Sequence, residues 1–203
     1  MSEYLLKDSS AKKAVRNWLE EAITRYANAG RLSWNDEDAL TQRFFDAIAN
    51  PALQTNTGML QIECYKVRGR GQKAPEHLLG ADGLGLVHIE TSTTLLDGIF
   101  LFQAKKADSE TAALRDAKKQ CAKMLQHSSA SQLIVLLPDC VHVVSALAVT
   151  SVRNSMAHLE DVPFMNFARF VVEQLLNGLM LAPLKDTLYR SLSYEKRYDM
   201  LLP

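Results

Sequence analysis

Two short segments carry residue types that can act together on a phosphodiester. Gly80-Ala81-Asp82-Gly83 sets a carboxylate between glycines at the expected entry of one strand, and Gln103-Ala104-Lys105 sets a carboxamide and an ammonium group at the expected exit of the next. Side chains at i and i+2 leave a strand on the same face, so Gln103 and Lys105 project together and Asp82 can face them from the neighbouring strand. Mg²⁺ takes oxygen ligands and keeps several waters, so one carboxylate, one side-chain carbonyl and phosphate oxygens are enough to hold it. Such an ion polarises the phosphodiester and lowers the pKa of a bound water. A lysine beside it can stabilise the charge that grows on the phosphorus oxygens. Asp82 and Gln103 are therefore the expected ligands for Mg²⁺, with Mn²⁺ able to substitute, and Lys105 is the expected charge stabiliser.

The elements that must position these groups can be read from spacing. Ala11, Val15, Trp18, Leu19, Ala22, Ile23 and Tyr26 fall on one helical face, and Gly30 stops that helix. A second helix is expected from Asn35 as N-cap, with Asp36, Glu37 and Asp38 in an acidic first turn and Leu40, Phe44 and Ile48 on one face until Pro51. Strands are expected over Met59 to Tyr65, about Asp82 to Ile89, and Ile99 to Lys105, with a turn at Asp97-Gly98. Ser109 is the expected cap of a third helix bearing Leu114, Ala117, Cys121 and Met124. Two more strands, Leu133 to Leu137 and Val141 to Val149, follow. Pro163 then opens a helix burying Phe164, Phe167, Phe170, Val171 and Leu175. Helix, helix, three strands, helix, two strands, helix describes an α/β domain in three layers, a central mixed β-sheet flanked by helices.

The 203 residues suit a single domain spanning 1–203, and a hydrophobic share of 47% with 23% charged residues suits a folded globular chain. The formal net charge is zero, which excludes a nucleic-acid binder held by global electrostatics; contact must come from a local patch or a partner. Three cysteines (Cys64, Cys121, Cys140) without a CxxC pair argue for reduced thiols rather than a disulfide framework or structural zinc. No signal-peptide core precedes Val15, and the apolar run from Gln132 to Val152 is broken by Pro138, Asp139 and His142, so a cytoplasmic location without membrane contact is expected.

The placement of Asp82 and of Gln103-Ala104-Lys105 in this element order resembles the PD-(D/E)XK, or restriction-endonuclease-like, nuclease superfamily, over roughly residues 33 to 150. The Gln-x-Lys form is most similar to Mrr-type restriction nucleases and related prokaryotic defence nucleases. The resemblance implies metal-dependent hydrolysis of DNA and an acidic residue from the helix before the first strand, a role Glu37 can fill as further catalytic group and metal ligand. A Glu in the first helical turn is otherwise explained by the macrodipole. The sequence departs from the family pattern in having no Pro before Asp82, Gln at the second acidic position, and a long gap of 21 positions (103 − 82) between Asp82 and Gln103.

Phosphate contact is expected from Arg68, Arg70 and Lys73, beside Lys66 in a Gly-containing loop, and from Lys106 and Lys119, with Lys118 and Lys123 nearby. Glu76 with His77, and His88 with Glu90 on the parity of Asp82, are weaker candidates to extend the site. No GxxxxGK[ST] loop, GxSxG elbow or HExxH motif is present. The function expected is a Mg²⁺-dependent DNA endonuclease of restriction or anti-phage defence. A homodimer would supply two sites for two strands, and a second protein subunit would supply target recognition. The alternative is a catalytically silent nuclease-fold subunit that binds or assembles within a larger complex.

Overall fold

The computed structural model describes residues 9–30, 36–48, 52–67, 75–93, 95–106, 111–152, 162–177 and 179–182. Seven strands form one mixed sheet in sequential order: β1 Leu53–Thr55, β2 Gly58–Lys66, β3 Gly83–Thr91, β4 Leu95–Lys106, β5 Ser131–Leu136, β6 Val141–Ser145 and β7 Met165–Asn166. Five of the neighbouring pairs are antiparallel; β4 and β5 alone run parallel. That parallel pair requires a crossover, which α4 (Thr111–His127) provides.

Alternation along β4 assigns the two faces. Phe100, Phe102 and Ala104 pack with α1 (Ser9–Gly30), α2 (Glu37–Ile48) and α6 (Phe167–Phe170), whereas Ile99 and Leu101 pack with α4 and α5 (Ala146–Ser151). The short α3 (Pro75–Leu79) adds Leu79 to the second layer. It ends at Gly80, whose φ of 68° is the left-handed C-terminal position that glycine adopts without strain. The α/β class, mixed sheet and helices on both faces match the expectation from sequence.

On the first face an aromatic chain fixes α2 to the sheet. Phe45 lies 4.6 Å from Phe102, and Phe44 meets Tyr26 of α1 edge-on at 5.9 Å and Phe167 of α6 at 4.9 Å. Each such ring contributes about 1.5–3 kcal/mol by leaving water. Phe102 in turn rests on Gly83, where an added Cβ would stand 2.0 Å from its Cζ, and Phe100 covers Gly85 in the same way, at 2.2 Å from its Cε1. The glycines after Asp82 thus seat two phenylalanine rings, and the placement of α2 depends on that seat.

Several boundaries differ from the sequence expectation. The N-cap of α2 is Asp36, which accepts from the Ala39 N–H at 3.0 Å, and Asn35 lies outside the described residues. The polar stretch before Met59 forms β1, hairpin-paired to β2 through Thr55↔Gly58. Asp97 and Gly98 are not a turn: they pair with His88 and Val87 inside a longer β4, because the hairpin turns at Ser92 and Thr93. The apolar run after Val141 leaves the sheet at Ser145 and becomes α5, an ambiguity inherent in short apolar segments. Pro163 opens no helix. Phe164 is half exposed and stacks on His142 at 4.1 Å, and the helix starts at Phe167 with Asn166 as its cap, running into a π-helical turn at Val171–Leu175. Ser109, the expected cap of α4, lies outside the described residues.

The three cysteines are free. Burial pushes the Cys121 thiol up to about 12, and burial with the nearby Asp139 pushes Cys140 up to about 11, so neither offers a thiolate at neutral pH. No described helix is long and apolar enough to cross a membrane.

Gly83→Ala is expected to destabilise the protein by about 1–3 kcal/mol through overpacking against Phe102. Denaturant unfolding checks this, and the double variant Gly83→Ala/Phe102→Leu should lose less than the sum of the two single variants. Strict additivity would show that the ring does not depend on the glycine.

Candidate active site

β4 outruns β3 at one end of the sheet. The last paired residues are Gly83 and Phe102, and one further backbone bond runs from Asp82 N–H to the Phe102 carbonyl at 2.9 Å. The odd-numbered N–H groups of β4 turn the other way, Leu101 donating to Ala130 and Ile99 to Ala182, both at 2.9 Å. By strand alternation the N–H groups of Ala104 and Lys106 therefore point where β3 would have continued. Buried donors need partners.

Two carboxylates from different elements serve them. Asp82 Oδ2 accepts from the Ala104 N–H at 2.9 Å, and Glu37 Oε2 accepts from the Lys106 N–H at 3.0 Å. The two N–H groups are about 7 Å apart along an extended strand, so both acids stand on one short bare edge. Glu37, the first residue of α2, also accepts from Lys105 Nζ through Oε1 at 3.1 Å. The Lys105 side chain keeps 18% of its surface exposed and that of Glu37 41%. A pair so open to solvent contributes about 1 kcal/mol or less. Lys66, at the end of β2, donates from Nζ to the Asp38 carbonyl at 3.1 Å and holds the start of α2 from the other side.

Gln103 sits one register step past Phe102, opposite Asp82, and is buried. Its Nε2 donates to Asp82 Oδ2 and, at 3.3 Å, to the Ala104 carbonyl. Its Oε1 is buried without a hydrogen-bond partner. An orphaned carbonyl oxygen beside a carboxylate forfeits about 1–3 kcal/mol unless something electropositive meets it.

The structure thus brings Asp82, Gln103, Lys105 and Glu37 to one strand end. Lys106 is there too, through its backbone. Lys119 is not: it stands exposed on α4, 3.7 Å from Asp116 and about 12 Å along the helix from its start. Arg68, Arg70 and Lys73 lie outside the described residues, as does the Glu76 side chain. Lys118 and Lys123 tie α4 down by donating to the carbonyls of Val152 and His77. His88 and Glu90 keep the parity of Asp82 but lie about 20 Å and about 27 Å along β3 from it. There His88 Nδ1 meets Asp97 Oδ1 at 2.5 Å and Nε2 stands 4.0 Å from Glu90. A polar groove of about 610 Å³, lined by Gln54, Gly58, Glu90 and Ser92 among others, opens at that far end too.

Among the described residues no group of three or more His, Cys, Asp or Glu side chains is arranged to hold a metal. A site built here would rest on one carboxylate and one carboxamide. Sequence reasoning placed the four polar side chains but missed the backbone N–H groups that organise them. Those carry no sequence signal except the early end of β3. It also missed Lys66 as a tether. No protein-family model, no curated protein and no solved structure matches this chain.

Gln103→Glu replaces the donor facing Asp82 with a second acid. Without divalent metal it should unfold about 1–3 kcal/mol more easily than the natural protein. Mg²⁺ or Mn²⁺ should restore its melting temperature by a larger margin than any metal effect on the natural protein. Equal melting temperatures without metal would show that the Asp82–Gln103 pairing carries no weight.

Proposed function

We propose that the protein is a Mg²⁺-dependent nuclease of the restriction-endonuclease-like type, hydrolysing phosphodiester bonds in DNA. The observation that carries this reading is the pairing of Asp82 with Gln103, whose buried Oε1 lacks a partner, on the bare edge of β4 beside Lys105. The donor set, a carboxylate and a neutral carbonyl oxygen, suits a hard cation that completes its shell with waters. Asp82 and Gln103 would hold the ion, which when bound supplies charge to polarise a phosphodiester and to acidify a water. Lys105 places an ammonium group to offset charge growing on the phosphate oxygens. Arg68 and Arg70, with Lys73 and Lys106, suit backbone phosphates by their charge, compensating locally for a net charge of zero. Action within a restriction or anti-phage system, as a homodimer or with a recognition subunit, belongs to the same proposal.

A second reading is favoured by one observation. Asp82 Oδ2 already has two donors, Ala104 N–H and Gln103 Nε2, so the acid can be satisfied as a structural cap without any ion. The protein would then be a silent subunit that binds or assembles.

Incubation with supercoiled and linear DNA in Mg²⁺ or Mn²⁺ decides between them. The nuclease reading expects cleavage by the natural protein, reduced about 100-fold or more in Asp82→Ala and in Lys105→Ala. Cleavage unchanged in both variants would remove this site from the reaction. Absence of both cleavage and Mn²⁺ binding would leave the structural cap.

A further inference from the structure

We infer that Glu37 is a positioning residue that fixes the Lys105 ammonium group, and that the metal-binding set is confined to Asp82 and Gln103. The inference rests on the proposed nuclease reading and assigns Glu37 a role other than the metal ligand expected from sequence. Three observations carry it. Both Glu37 oxygens already meet hydrogen-bond donors, Oε1 the Lys105 ammonium at 3.1 Å and Oε2 the Lys106 N–H at 3.0 Å. A cation approaching Glu37 would have to displace donors from both of its oxygens; at the Asp82–Gln103 pair Asp82 Oδ2 is likewise engaged, but Gln103 Oε1 meets no donor. And the capping of the first turn is done by Asp36 through Ala39, so both of the Glu37 contacts go to β4 rather than to its own helix.

The geometry does more than pair two charges. Glu37 grips consecutive residues of β4, one by side chain and one by backbone, so the lysine is anchored at its tip while the strand beneath it is anchored at Lys106. A lysine has four rotatable side-chain bonds and loses much rotamer entropy when held in one place. Holding it before substrate arrives spares that loss in the reaction step. The aromatic seat of α2, Phe45 on Phe102, sets where Glu37 stands.

The test compares Glu37→Gln with Asp82→Asn in the full chain. Glu37→Gln keeps an acceptor for the Lys106 N–H, and thermal unfolding checks that the fold is retained. Mn²⁺ affinity, read by electron paramagnetic resonance, should stay within about twofold of the natural protein in Glu37→Gln and fall about tenfold or more in Asp82→Asn. Acylation of Lys105 by an amine reagent, mapped by mass spectrometry, should be faster in Glu37→Gln because the amine is no longer held. In cleavage, kcat should fall about tenfold with KM little changed. A loss of Mn²⁺ affinity in Glu37→Gln matching that of Asp82→Asn would make Glu37 a ligand and overturn the inference, as would unchanged labelling of Lys105. Failure of the nuclease reading shows separately, as absent Mn²⁺ binding and cleavage in the natural protein, and the labelling result still decides the role of Glu37.

Discussion

The site depends on one mismatch in strand length. β4 extends beyond the start of β3, and the backbone donors left on that edge must be satisfied where the chain is only partly open to water. A carboxylate is the strongest small acceptor available, and charge-assisted bonds of this kind are about twice as strong as neutral ones. The requirement draws one acid from the residue just before β3 and another from a helix far away in sequence. Backbone satisfaction and the gathering of acids are the same event, so a purely structural need delivers chemical potential to the strand end.

Packing sets the precision of that arrangement. Gly83 follows Asp82 directly, and its bare face lets Phe102 lie across β3; Phe102 then receives Phe45 of α2, the helix that begins with Glu37. Lys66 closes the frame from β2. Interiors packed at crystal-like density transmit displacement rather than absorb it. The register of a glycine against a phenylalanine therefore bears on the spacing between Asp82, which adjoins it, and Glu37, which reaches it only through α2.

Much of this was legible in the chain itself. Asp82 between glycines and the i, i+2 spacing of Gln103 and Lys105 were enough to place three polar groups together, because strand parity is a rigid rule. The acidic first turn marked α2, although the cap proved to be Asp36 rather than Asn35, since both residues suit the position and only the backbone chooses between them. Less legible were the segments where local preference and tertiary context disagree. Asp97-Gly98 has the composition of a turn, but pairing with His88 and Val87 holds it extended. Val141 to Val149 is β-branched enough for one strand, yet the chain must leave the sheet after Ser145 to cover it. The tie between Glu37 and Lys105 spans 68 positions, and no local pattern announces a contact of that reach.

The two outermost strands in the described sheet are stubs: β1 has three residues and β7 two, whereas β2, β3 and β4 run nine to twelve and lie inside. Short margins give an incoming ribbon little ladder to grip, a common natural safeguard against edge-to-edge aggregation. Should two copies assemble, continuation of the sheet across those margins is a poor route. Helices or loops would then have to supply the seam.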